Sequence, residues 1–184
     1  MADDVFGVEV VTPEQSLVAG GATSVVLATS EGALTVLDGH TPLVGDVVPG
    51  LVKVELADGT LLRLAVHGGF VQVDTSPGAA EGLAEGDGPL PGLSTRVTVL
   101  AGIAELSEEI DVARAEQARE RSAQRVAELS SGRGGSGSSS GSASGSGSGS
   151  AESGGTEVPD AALREAEEAL GRAELRLSVA GSHE

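Results

Sequence analysis

A chain of 184 residues has room for one medium domain or two small ones. Its formal net charge of -17 argues against nucleic acid and anionic lipid as partners, because both are polyanions. It contains no cysteine, which excludes a disulfide framework and a thiolate metal site. Trp and Tyr are absent too, so Phe6 and Phe70 are the aromatics, Val and Leu must build the core, and little is left for stacking bases or sugars. No apolar run reaches bilayer-spanning length, and Met1-Ala2-Asp3-Asp4 lacks the basic and apolar regions of a signal peptide. The expectation is a chain made and kept in the cytosol, without direct membrane insertion, that reaches a membrane only through another protein. Residues 1–106 hold Lys53, Arg63 and Arg96 as their basic groups, and every other basic residue follows position 107. That asymmetry assigns the two halves different work.

Residues 5–75 read as strands. Phe6, Val8 and Val10 alternate with Gly7, Glu9 and Val11, and Val52, Val54 and Leu56 alternate with Lys53, Glu55 and Ala57. Asp58-Gly59 then separates this run from Leu62, Leu64 and Val66, a hairpin signal in which both turn residues tolerate positive φ. Further strands are expected at 24–29, 33–37, 70–74 and 96–101. Short strands with frequent Gly and Pro indicate a sandwich or barrel. Residues 76–94 are rich in Gly, Pro and acid and fall between two good strands; they read as an irregular insert within a hairpin.

From Ser107 the period changes. Val112, Ala115, Ala118, Ser122, Val126 and Leu129 recur at helical spacing, with Ser107 or Asp111 placed to cap the start. Residues 130–157 are dominated by Gly and Ser and read as a disordered tether. After it, Leu163, Ala166, Leu170, Ala173 and Leu177 form a second helical stripe within 158–180. The domain plan is therefore a β-sandwich over 1–106, a first helix over 107–129, a linker over 130–157 and a second helix over 158–180. Neither helix has an apolar face broad enough to stand alone, so each is expected to pair with the other or with the sandwich.

Three stretches resemble the epsilon subunits of F-type ATP synthases. The first is Gly32-Ala33-Leu34-Thr35-Val36-Leu37-Asp38-Gly39-His40-Thr41-Pro42-Leu43, similar to a family pattern that it keeps at Gly39, His40, Pro42 and Leu43 and departs from at Thr35 and Asp38. The second is Gly68-Gly69-Phe70-Val71-Gln72-Val73 followed, past the insert, by Val97-Thr98-Val99-Leu100-Ala101. The third is Ile110-Asp111-Val112-Ala113-Arg114-Ala115, similar to the start of the family's first C-terminal helix. The resemblance implies a sandwich of two antiparallel sheets with about ten strands that binds the gamma subunit and the ring of membrane-embedded c subunits. It also implies a helical part that folds on the sandwich or extends to the alpha and beta subunits and inhibits ATP hydrolysis. With it come a peripheral place on the cytoplasmic side of the cell membrane, protons as the coupling ion, and no chemistry of the chain's own. Two readings from other classes stand beside this one: a free-standing adenine-nucleotide sensor, and a generic acidic protein-interaction domain.

No catalytic or metal constellation emerges. His40, between Gly39 and Thr41-Pro42, reads as a turn histidine rather than a general base, and His67 before Gly68-Gly69 is read the same way. His40, His67 and His183 lack ligand spacing. The only lysine, Lys53, lies mid-strand, so there is no phosphate loop. The arginines carry more. On one reading Arg121, Arg125, Arg172 and Arg176 belong to a solvated, salt-bridged helix surface. By resemblance, Glu105, Asp111, Arg114, Arg121, Arg172 and Arg176 fall where some bacterial relatives bind ATP, or where they contact the beta subunit. Guanidinium groups suit phosphate because they offer planar, paired donors. No cofactor is required, and ATP enters as a weak regulatory ligand. A tether about fivefold longer than the usual connection raises the cost of closing a helical hairpin by roughly 1.4 kcal/mol. Its root-mean-square span of about 25–30 Å lets the second helix fold back or search elsewhere.

Overall fold

The computed structural model describes residues 5–76, 84–85, 88–89, 94–132 and 158–181. Among the described residues, eleven strands precede two α-helices. In chain order they are β1 (Phe6–Val11), β2 (Ser16–Thr29), β3 (Gly32–Val36), β4 (Leu43–Val47), β5 (Gly50–Leu56), β6 (Leu61–Val66), β7 (Gly69–Thr75), β8 (Ala84–Glu85), β9 (Gly88–Pro89), β10 (Thr95–Ala101) and β11 (Ala104–Leu106). A 3-10 turn over Ser107–Glu109 leads to α1 (Val112–Gly132), and α2 spans Val158–Ala180. The chain divides into two compact units: residues 1–112 with 175–184, and residues 113–174.

The first unit is a β-sandwich. One layer is β1-β10-β7-β4 and the other is β3-β2-β5-β6-β11. Nine strands form one continuous ladder because β2 serves both layers: its first half pairs with β1, its middle with β5, and Thr29 with Val47 of β4. The expected β-sandwich of two sheets is present, with two features beyond the expectation. The layers share a strand, and β1 runs parallel to β10, from Gly7 opposite Arg96 to Val11 opposite Leu100. The register of β2 shifts between Ala22 and Ser24, where an extra residue bends the strand.

Alternation places Val8, Val10, Val25, Val52, Val54, Val71, Val73, Val97 and Val99 in one core, joined by Leu27, Leu64 and Phe6. Branched aliphatic residues fill the space between the layers as their scarcity of alternatives requires. Phe70 stays on the surface, 55% exposed.

The β5–β6 hairpin is present, but its turn differs from the expectation. Gly59 N–H donates to the Leu56 carbonyl and Leu56 N–H to the Thr60 carbonyl, giving a three-residue loop. Only Gly59 has positive φ, at 86°. Asp58 keeps negative φ and its carboxylate accepts from Thr60 N–H at 2.8 Å, which holds its pKa below the usual 3.8.

Two of the connections that carry the chain between layers are β6 to β7 through His67-Gly68 and β10 to β11 through Gly102-Ile103. They run side by side: His67 N–H donates to the Ile103 carbonyl and Gly102 N–H to the Gly68 carbonyl. A Cβ on Gly69, whose φ is 150°, would stand 2.1 Å from the Leu100 carbonyl oxygen. The Gly68-Gly69 pair therefore answers to backbone proximity as well as to φ.

Within the expected irregular insert, β8 and β9 pair, Ala84 opposite Pro89 and Glu85 opposite Gly88. Residues 77–83, 86–87 and 90–93 lie outside the described residues, as do 133–157 of the expected tether and His183. The first helix starts later than expected, since Ile110-Asp111 separates the 3-10 turn from Val112. It also runs on to Gly132. Ser130 and Ser131 remain helical by donating their hydroxyls to the Ala127 and Glu128 carbonyls. In the second unit Ala115, Ala166 and Ala173 are buried, so its packing is made by small side chains.

A methyl group at residue 69 tests the crossing. Gly69→Ala is expected to destabilise the sandwich by at least about 2 kcal/mol in urea unfolding, whereas Gly102→Ala, facing open space, changes it by less than about 0.5 kcal/mol.

Candidate functional site

Two groups of residues were singled out by sequence, the Gly-His-Thr-Pro turn and the arginine set. The turn closes on Leu37, whose carbonyl accepts from His40 N–H at 3.2 Å. Gly39 sits at φ 71°, and its N–H donates to the buried Thr95 hydroxyl at 2.9 Å. The Thr75 hydroxyl donates to the His40 carbonyl at 2.6 Å. Thr75 and Thr95 are cross-strand partners on β7 and β10. One rung thus clamps two consecutive residues of the turn. The half-buried His40 ring places Nδ1 2.9 Å from the Thr41 carbonyl, so Nδ1 carries the proton of that hydrogen bond. His40 is a turn residue held by backbone. Pro42, exposed, leads directly into β4.

The arginine set divides. Glu105 of β11 and Arg176 of α2 meet within the first unit: Arg176 Nε reaches Glu105 Oε2 at 2.6 Å, and Nη2 reaches Oε1 at 2.6 Å. This is a bidentate, charge-assisted pair with both side chains about one-third exposed. The hydrogen bonds that Arg176 donates to Glu105, opposed by burial and reinforced by the carboxylate's charge, raise the Arg176 pKa above the ordinary arginine value. Arg176 thus spends two of its five N–H donors, its whole Nε–Nη2 edge, on a carboxylate.

In the second unit Arg121 and Arg125 of α1 line a groove of about 360 Å³ with Ser122, facing Ala162, Glu165 and Ala169 of α2. Arg121 also folds along its own helix, its Nε donating to the Gln117 carbonyl at 3.2 Å. Small residues on α2 leave the groove open, and the two guanidinium groups suit it for an anion. Arg172 is engaged on its own helix, 3.8 Å from Glu168 one turn earlier. Asp111 precedes the first residue of α1 and Arg114 lies in its first turn; both are exposed. Among the described residues no cluster of His, Cys, Asp or Glu could hold a metal ion, and no helix is long and apolar enough to cross a membrane.

Several participants escaped sequence reasoning. Thr75 and Thr95 flank the insert, where composition drew attention away from them. Glu165 has the look of any acidic helix residue. Glu9 and Arg96, joined at 2.5 Å on the outer face of the β1–β10 ladder, are 87 residues apart, and only the parallel pairing brings them together.

Residues 5–77 match the family described as ATP synthase, Delta/Epsilon chain, beta-sandwich domain. The chain is 38% identical over 127 residues to an ATP synthase epsilon chain of Desulforudis audaxviator, covering 69% of this chain and 78% of that one. It is 41% identical over 122 residues to an ATP synthase epsilon chain of Thermobifida fusca, covering 65% and 75%. Its fold is similar to a chain in the solved Euglena gracilis mitochondrial ATP synthase, at TM-score 0.59 and 18% identity, covering 93% of this chain and 78% of that chain.

The clamp on the turn is open to direct test. Thr95→Val leaves the Gly39 N–H without its acceptor and is expected to cost about 1 kcal/mol. The Gly39 amide should exchange with solvent at least about fivefold faster, and Thr95→Ser should restore both values.

Proposed function

The chain belongs to the ATP synthase epsilon-chain family, and on that premise we propose that it is the non-catalytic epsilon subunit of the central stalk of a proton-translocating F1Fo ATP synthase. The observation that carries this reading is the alignment with bacterial epsilon chains, which is longer than the sandwich alone. In this role the sandwich couples the gamma subunit to the c-ring. The C-terminal helices act on the alpha and beta subunits and set the rate of ATP hydrolysis. The subunit is peripheral, on the cytoplasmic side of the cell membrane. Its charge of -17 disfavours an anionic lipid surface, so attachment runs through protein contacts.

Regulation adds a ligand. ATP binds weakly to the helical region, with its phosphates drawn to arginines. The groove bearing Arg121 and Arg125 supports this, because two arginines one turn apart on α1 line it. The Arg176–Glu105 pair supports the weakness, because the carboxylate already balances the charge of that guanidinium and occupies its Nε–Nη2 edge.

Affinity purification of the tagged chain from native membranes tests the rotor role. Recovery together with alpha, beta, gamma and c subunits is expected; recovery without them would leave a free-standing nucleotide sensor or an acidic interaction domain. Calorimetry on the isolated full chain tests the ligand. A millimolar dissociation constant for ATP, weakened several-fold by Arg121→Ala, is expected, and no heat at millimolar ATP overturns nucleotide binding.

A further inference from the structure

The basic side chains of residues 1–106, Lys53, Arg63 and Arg96, are treated unequally by the fold. Arg96 is paired with Glu9. Lys53 and Arg63 are set directly opposite each other on β5 and β6. Val52, Val54 and Leu64 point into the core, so both charges stand on the outer face of the sheet. Like charges in that position repel and cost stability. Among the described residues neither forms an ion pair. Their row continues through Val26 of β2 and Thr35 of β3, which bring no charge. In the next row Glu55 accepts a hydrogen bond from the Ser24 hydroxyl at 3.1 Å and is engaged with β2. The 3-10 turn that carries Glu108 and Glu109 packs against β6, yet neither of them pairs with Arg63.

A counter-charge is available in the insert. Residues 76–94 hold Glu81, Glu85 and Asp87 and no basic group. Within the same compact unit, β8, which includes Glu85, packs beside β2, the strand next to β5. Glu81 is six positions past Thr75 and Asp87 eight before Thr95, so the shorter arm alone spans about 20 Å when extended. We infer that Lys53 and Arg63 are the docking site of the acidic stretch 81–87 of the insert. Arg63 offers a planar edge to one carboxylate and Lys53 a compact point charge to another. The two cations that repel each other across the ladder become a two-point anchor once carboxylates lie over them, in a network rather than an isolated surface pair. The insert thereby also shields the sheet. A basic spot on a chain of net charge -17 attracts acidic segments of other proteins, and with the insert seated on it the spot repels them instead.

Zero-length carbodiimide coupling on the isolated full chain tests this, because Lys53 is the only lysine and its crosslinks are identifiable by peptide mass spectrometry. Lys53 is expected to couple to Glu81, Glu85 or Asp87 at low ionic strength, with a yield that falls at least about threefold in about 0.5 M salt. The triple variant Glu81→Gln, Glu85→Gln, Asp87→Asn removes those products and leaves the core strands unaltered. A short glutamate-rich peptide added in trans is expected to couple to Lys53 at least about fivefold more in the triple variant than in the unaltered chain. Coupling of Lys53 to Glu108 or Glu109 in place of the insert, or no coupling to the insert at all, would overturn the docking. Equal capture of the peptide by both proteins would overturn the shielding.

Discussion

The close passage of two backbone segments between the layers governs much of this structure. At Gly69 the chain comes so near the Leu100 carbonyl that no side chain fits. That proximity lets the connections at His67-Gly68 and Gly102-Ile103 hydrogen-bond to each other. Running side by side in opposite directions, they align β7 with β10 in one layer and β6 with β11 in the other, each pair antiparallel. Because β11 is laid down beside β6 in this register, Glu105 stands opposite Ala65 on the outer face. A backbone constraint in the middle of the chain thus determines where a carboxylate waits for an arginine more than 70 positions later.

The same economy explains how the sandwich accommodates its insert. The enlarged stretch leaves β7 after Thr75 and returns to β10 at Thr95, and these two residues form a rung. Both threonines are engaged with the Gly39-His40 turn, so the mouth of the insert is closed by contacts that do not involve the insert. Lengthening a surface loop beyond such a rung costs little, roughly 0.6 kcal/mol per doubling. The turn motif that carries the family resemblance is therefore also bonded to the rung at which the insert leaves and rejoins the sandwich.

Much of the sandwich was legible in the sequence because its strands alternate strictly. Val52, Val54 and Leu64 announce their faces, whereas the refusal of a Cβ at Gly69 shows only in the fold. The first half of β2 was not legible. Gly20-Gly21 resembles a turn, yet it lies in an extended strand where β1 pairs with it and Ala57 N–H donates to the Gly21 carbonyl. The parallel pairing of β1 with β10 was invisible as well, since local periodicity carries no information about a partner so distant in the chain. At Asp58-Gly59 the hairpin was readable but its turn was not, because an Asp side chain that bonds to Thr60 N–H permits a longer loop than the dipeptide suggests. Of the arginine set, sequence identified both members of the Arg176–Glu105 pair without joining them. It could not distinguish Arg172, spent on its own helix, from Arg121, which lines a groove. Composition supplies charges; only the fold decides which of them meet.

The chain emerges as a well-packed sandwich with a helical region whose charges are partly committed. The proposed rotor role calls for both: a body seated between gamma and the c-ring, and an arm whose contacts can be exchanged. The exposed third of the Arg176–Glu105 pair is suited to the second, since such pairs contribute modestly and are readily replaced by another partner. The most direct test of the whole account is single-particle cryo-electron microscopy of the ATP synthase purified through a tag on its beta subunit. The account predicts density for this sandwich at the foot of the central stalk, between gamma and the c-ring. A complete synthase whose stalk lacks this chain would contradict it.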